Sequence, residues 1–311
     1  MRRHPDLRVL FATDFSAACA RAARSLDQLA SLLYLDVTIV HATRDAGRSE
    51  VRKALDATPP HASGTFRCRR VALEAADPAR AIAHLCEAAV FDLAVVPGTG
   101  RLHWSHLAGQ SFRRRFRARC RVPMWTLGRD ASDDALDRPV RTVGALVDFD
   151  DRPALLLHRA ARFAEAIGAG LIAFALVPPT DDALMGAVAG SEAPVTAHEA
   201  ASRLATIAQA AGVPVDFPVQ AGTRASLLRR IRDHRSADIL FVGPAQASTA
   251  LSLSGLPRDL ERLPCPVVCV GDNDPGLEAV VATSISPASI VPGPVVPAAV
   301  AQAHLPATAL G

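Results

Sequence analysis

The run Val9-Leu10-Phe11-Ala12-Thr13-Asp14-Phe15-Ser16 recurs as Val143-Gly144-Ala145-Leu146-Val147-Asp148-Phe149-Asp150, and this repeat constrains the fold more than any other feature. Each copy is a short apolar run that stops at an aspartate and opens into a helix-starting pattern. A strand apolar at consecutive positions is buried on both faces, as a parallel sheet covered by helices requires. The aspartate then stands at the carboxyl end of its strand, where open α/β sheets hold their ligands. Two copies predict two sheets, or two halves of one architecture, and mark the chain as a duplication.

Length supports that reading, since 311 residues suggest about two domains, each able to bury a core. Half of the residues are hydrophobic but only 5% are aromatic, so the core has to be built from Ala, Leu and Val. The 34 basic and 31 acidic residues nearly cancel, which argues against a nucleic-acid partner. Met1-Arg2-Arg3-His4 carries the charge of a signal peptide, but the apolar run behind it is short and ends at Asp14. No uninterrupted apolar stretch of about 18 residues exists, so no membrane span is expected. Cys19, Cys68, Cys86, Cys120, Cys265 and Cys269 form no C-x-x-C pair, and reduced thiols in a cytoplasm are expected.

Strand and helix alternate along the first copy. Ser16 is placed to cap a helix reaching about Leu33, and strands follow at Leu35 to Ala42 and Phe66 to Leu73. Asp77-Pro78 suits the start of a helix, and Phe91 to Val96 forms the next strand. A helix near Gln110 to Cys120 and a strand at Pro123 to Leu127 complete the lobe, making a parallel, doubly wound sheet the economical topology. In the second copy, Thr223 to His234 mirrors the helix after Asp77, and Ala237 to Gly243 mirrors Phe91 to Pro97. Ala76 to Asp92 and Gly222 to Asp238 are both 16 residues apart. The expected domains are therefore 1–128 and 141–271, with a polar linker at 129–140. Residues 272–311, rich in Pro, Ala and Val without periodicity, are expected to be a disordered tail.

Few side chains combine into chemistry. Asp14 and Asp148 have no carboxylate or histidine at a paired spacing, which favours ligand contact or local capping over catalysis. Asp150-Asp151 is better explained by a helix N-terminal charge effect than by a metal, and His103 and His106 lack a third ligand. Six arginines between Arg113 and Arg121 could hold a polyanion; a solvated helix face, with Phe116 and Cys120 turned to the core, is the preferred reading. Neither a G-x-S-x-G elbow nor a Walker loop occurs, so no enzyme is expected.

Taken in order, these segments resemble the universal stress protein family, in particular its tandem members. Val9 to Ser16, Ile39-Val40-His41-Ala42, Asp92 to Val96 and Val122-Pro123 carry the likeness in the first copy. In the second it is carried by Val143 to Asp150, Ala237 to Gly243 and Cys265-Pro266-Val267. The resemblance implies two Rossmann-like domains of the adenine nucleotide alpha hydrolase type, packed as a pseudo-dimer within one chain. It also implies a cytoplasmic stress-response role, with homo-oligomers open and any protein partner unnamed. A single continuous sheet through both copies is not expected on this reading.

The same resemblance places adenosine at Asp14 with Ala42 and at Asp148 with Val177, and phosphates on a glycine-rich loop followed by a hydroxyl. In the first copy the loop positions fall on Pro97, Gly100, Gln110 and Ser111; another register, using Gly98 and Gly109, needs an indel. In the second copy Gly243 matches the first glycine and Gln246 replaces the second. Proline supplies no amide, and glutamine puts a side chain where backbone must approach, so phosphate affinity falls in both. The expectation is a non-catalytic binding or regulatory protein in which ATP, if bound, occupies the first domain around Asp14, Gly100 and Ser111. The alternative is an ATP-binding or slowly ATP-hydrolysing switch.

Overall fold

Both aspartate-ended runs become central strands of a sheet. In the computed structural model, which describes residues 6–59, 66–98, 111–131, 133–149, 151–177, 197–214, 216–248 and 256–271, β1 (Asp6–Ala12) pairs parallel with β2 (Tyr34–Thr43). β3 (Phe66–Glu74) adds to the far side of β2, and β4 (Leu93–Val95) and β5 (Met124–Leu127) continue the parallel order beyond β1. The second lobe repeats the order, with β6 (Thr142–Val147) central between β7 (Gly170–Leu176) and β9 (Ile239–Val242). β8 (Val219–Gly222) and β10 (Pro266–Cys269) lie outside them.

The two halves share one sheet. β5 and β10 pair antiparallel, Trp125 opposite Val268, giving the ten-stranded order β3-β2-β1-β4-β5-β10-β9-β6-β7-β8. The expectation that no continuous sheet would run through both copies is therefore wrong. The duplication survives, because the strand order on one side of the seam is repeated on the other. An edge strand with a row of unpaired N–H and C=O groups is a template for another edge, and here the two copies satisfy each other.

Helices cover both faces. On one, α1 (Ala17–Ala30) packs Leu26 and Leu29 against Val9 and Phe11. Ser16 starts it as expected, its hydroxyl accepting from the Cys19 amide. α2 (Ser49–Ala57) follows β2 and buries Leu55. On the other face, α3 (Pro78–Ala88) and α4 (Phe112–Arg117) set Ile82 and Phe116 against Leu10 and Ala12. The Asp77 carboxylate caps α3 by accepting from the Ala79 and Arg80 amides, with Pro78 in the first turn.

The polar segment between the lobes is docked rather than free. It contains α5 (Asp133–Leu136), buries Ala131, Leu136 and Val140, and pairs Asp133 with Arg24 of α1 at 2.7 Å. In the second lobe α6 (Pro153–Ile167) ends at Gly168 in the left-handed region, φ 69°, a conformation glycine adopts without strain. α7 (Ala197–Ala210), α8 (Arg224–His234) and the short α9 (Pro244–Ala247) and α10 (Arg258–Glu261) complete it. Phe163 of α6 reaches the seam, 6.4 Å from Trp125 of β5 and 5.3 Å from Phe241 of β9.

Candidate functional site

In each lobe the central strand turns into a helix at its aspartate, so the two crevices can be compared residue by residue. In the first, Asp14 Oδ1 accepts from the Ser16 amide at 3.1 Å and from the Cys19 thiol at 2.8 Å. Burial, then the nearby Asp14 charge, push the Cys19 thiol up. Its role is to hold the carboxylate still. Asp14 Oδ2 has no protein partner among the described residues.

Beside Asp14, the next strand offers backbone. The Val40 carbonyl accepts from the Thr13 amide at 2.9 Å and so points toward β1. Backbone polar groups alternate in direction along a strand, so the Ala42 N–H and C=O point the same way. They extend beyond Ala12, the last residue of β1 in register. His41 Nδ1 lies 2.8 Å from the Thr13 carbonyl, and burial holds its imidazole below the ordinary value. Phe15 stacks on His41, with ring centroids 4.3 Å apart, in a left-handed backbone at φ 63°.

The second crevice has the same plan but is occupied by the chain's own side chains. Asp148 Oδ2 accepts from Gln246 Nε2 at 2.5 Å. Gln246 is in turn held by Arg224, whose guanidinium also grips Asp259 through Nε at 2.6 Å and Nη2 at 3.1 Å. Asp259 is drawn down by that guanidinium against an opposing burial effect. Asp151 Oδ2 accepts from the Ala245 amide at 2.8 Å, at the start of α9. A Cβ on Gly243 would meet that carboxylate at 2.4 Å, which accounts for a glycine at this position. Asp151 thus acts at a helix N-terminus, as expected of a helix charge effect, but at α9 rather than at α6 that follows it.

The expected site residues divide accordingly. Asp14 and Ala42 come together in the first crevice, and Asp148 and Gly243 in the second. Ser111 caps α4, its hydroxyl accepting from the Arg114 amide at 3.2 Å. Gly100, Gln110, Gly109, Asp150, His103, His106 and the tail 272–311 lie outside the described residues. Val177 is one residue beyond the structural counterpart of Ala42. Ala12 pairs with Val40 and Leu146 with Phe174, so Leu176 corresponds to Ala42, and the Val177 amide donates to the Gly222 carbonyl of β8. The second-lobe strand has Ala175 where the first has His41, so no histidine marks the register along the sequence.

The arginine run is a solvated face only in part: Arg119 and Arg121 are exposed, but other members reach across the fold. Arg113 is buried at the seam, donating to Glu261 Oε1 at 2.6 Å and Thr126 Oγ1 at 3.1 Å. Arg117 donates to the Ala247 carbonyl of the second lobe, and Arg115 pairs with Asp77 at 3.1 Å. Phe116 and Cys120 are buried, as their spacing predicted. Arg115–Asp77 and Arg224–Asp259 tie the same pair of helices in the two lobes with the charges exchanged. Among the described residues no group of three or more His, Cys, Asp or Glu could hold a metal, and no helix is long and apolar enough to cross a membrane.

No family profile matches the sequence, and no curated protein matches it. Among solved structures, a universal stress protein from Archaeoglobus fulgidus is similar over 86% of this chain and 97% of its own, at 16% identity and a TM-score of 0.54. A Pseudomonas aeruginosa protein of unknown function covers 89% and 96%, at 13% identity and a TM-score of 0.48. A universal stress protein in complex with cAMP covers 40% of this chain and 97% of its own, at 21% identity and a TM-score of 0.31. The Archaeoglobus likeness shows that this chain has the universal stress protein fold across both lobes.

Proposed function

We propose that this chain, a tandem universal stress protein fold, is a non-catalytic binding or regulatory protein of the stress response that keeps a single ligand place, in its first lobe. The contrast between two equivalent carboxylates supports this. Asp148 is spent on Gln246 at 2.5 Å, whereas Asp14 keeps Oδ2 for a ligand. An anion approaching the second loop also finds the Ala245 amide already taken by Asp151. The ligand class is an adenine nucleotide, its sugar and base near Asp14 and Ala42 and its phosphates toward Gly100 and Ser111. Six cysteines without a disulfide among them suit the cytoplasm as its place of work.

Calorimetric titration of the full chain with Mg-ATP tests the reading. At most one site is expected, lost in Asp14→Ala and unchanged in Asp148→Ala. Binding at micromolar concentration that persists in Asp14→Ala would overturn it. Phosphate release above the buffer rate, abolished by Asp14→Ala, would replace it with the slowly hydrolysing switch.

A further inference from the structure

Phe15 is one of two exposed large hydrophobic residues among those described, at 38% relative exposure, and its backbone sits at φ 63°. A bulky residue pays strain there that glycine or asparagine would avoid, and such outliers cluster where a ligand is clamped. The conformation is held by the Phe15 amide, which donates to Thr13 Oγ1 at 3.1 Å, and by the stack on His41. One face of the ring lies on His41, the β2 residue just before Ala42, and Phe15 itself follows Asp14 in the chain. The strain therefore holds an aromatic surface at the mouth of the first crevice.

The ring at the same sequence position in the second lobe, which lacks the left-handed backbone of Phe15, is covered from within the chain. Phe149 follows Asp148 as Phe15 follows Asp14, and the Arg203 guanidinium of α7 lies over it, 4.6 Å from the centroid. A planar, electron-poor group from the chain itself therefore covers the second ring. We infer that Phe15 is the stacking platform for the planar heteroaromatic base of a nucleoside or nucleotide in the first lobe. The Ala42 backbone edge meets the base's donors and acceptors, and Asp14 Oδ2 takes a sugar hydroxyl. This rests on the reading that the first crevice holds a ligand, and it adds the residue that selects an aromatic base.

The test uses the full chain, titrated with adenosine and with ribose as the probe lacking a base. Wild type binds adenosine and not ribose. Phe15→Asn, which suits a left-handed backbone, weakens adenosine by about 5- to 150-fold, the range for losing one base–aromatic stack. Its melting temperature is unchanged or higher, since the strain is relieved. Phe15→Trp keeps the affinity within about threefold, well inside that range. Adenosine binding to Phe15→Asn as tightly as to wild type overturns the stacking role and leaves the first-lobe reading standing. Failure of wild type to bind adenosine and Mg-ATP alike overturns both.

Discussion

Replacing Glu261 by alanine would isolate what holds the two lobes together. Arg113 and Glu261 are 148 residues apart in sequence, yet they meet at 2.6 Å with side chains only 2% and 12% exposed. Burial pushes the Arg113 guanidinium down, and the Glu261 carboxylate opposes that most strongly. Glu261→Ala removes the carboxylate that faces this buried guanidinium and keeps the Thr126 hydroxyl at 3.1 Å. Removing one member of a buried ion pair costs about 3–5 kcal/mol. At roughly 2–4 °C per kcal/mol for a chain of this size, the melting temperature falls by about 6–20 °C. Urea unfolding followed by tryptophan fluorescence is the assay, because Trp125 lies in the seam strand. The midpoint should drop with an unchanged slope. Arg113→Met with Glu261→Leu should recover most of the loss, since an apolar pair replaces a buried ion pair at little cost. A loss below about 1 kcal/mol in the single variant would refute the claim that this pair carries the seam.

Three further outcomes follow from local geometry. The His41 imidazole is held down by burial, so as pH falls through about 6.5 the unfolded chain takes a proton that the folded chain refuses. Stability should fall across that window, and thermal melts between pH 8 and 5 should show a shallower slope in His41→Gln. Asp92 accepts from the Arg8 amide at 2.8 Å, and burial raises its carboxyl. Asp92→Asn keeps an acceptor and should change stability at pH 7 by less than about 1 kcal/mol, whereas Asp92→Ala strands the amide and should cost about 1–3 kcal/mol in chemical unfolding. Gly243→Ala sets a Cβ 2.4 Å from Asp151 Oδ2 and should lower stability by about 1–3 kcal/mol, the cost of freeing the Ala245 amide; an unchanged midpoint would show that Asp151 does not cap that turn.

Much of the fold was legible along the chain. Runs such as Val9 to Ala12 and Val143 to Val147 are apolar at every position because both faces of the sheet are covered, and burial of that kind reads directly as strand. Ser16 and Asp77-Pro78 announced helix starts because capping is local chemistry. The acid before β4 was legible too, and its counterpart Asp238 does the same work, accepting from Arg141 and Thr142 at the start of β6. Of the arginine run, Arg113 departs from the expected solvated face because a guanidinium's fate depends on whether a distant carboxylate stands opposite, and composition does not reveal that. Val177 was misplaced by one residue because parallel register is set by the neighbouring strand.

The sequence alone determined that the chain is doubled and that each copy ends its central strand on an aspartate, since periodicity and capping act over a few residues. Tertiary structure alone decided that the copies share one sheet, through the antiparallel meeting of β5 and β10. It also decided that Asp148 meets Gln246 whereas Asp14 Oδ2 meets no partner among the described residues, and that Phe15 stays exposed. Gln246 reaches Asp148 across 98 residues of chain, and only the packed sheet brings such residues within hydrogen-bond distance.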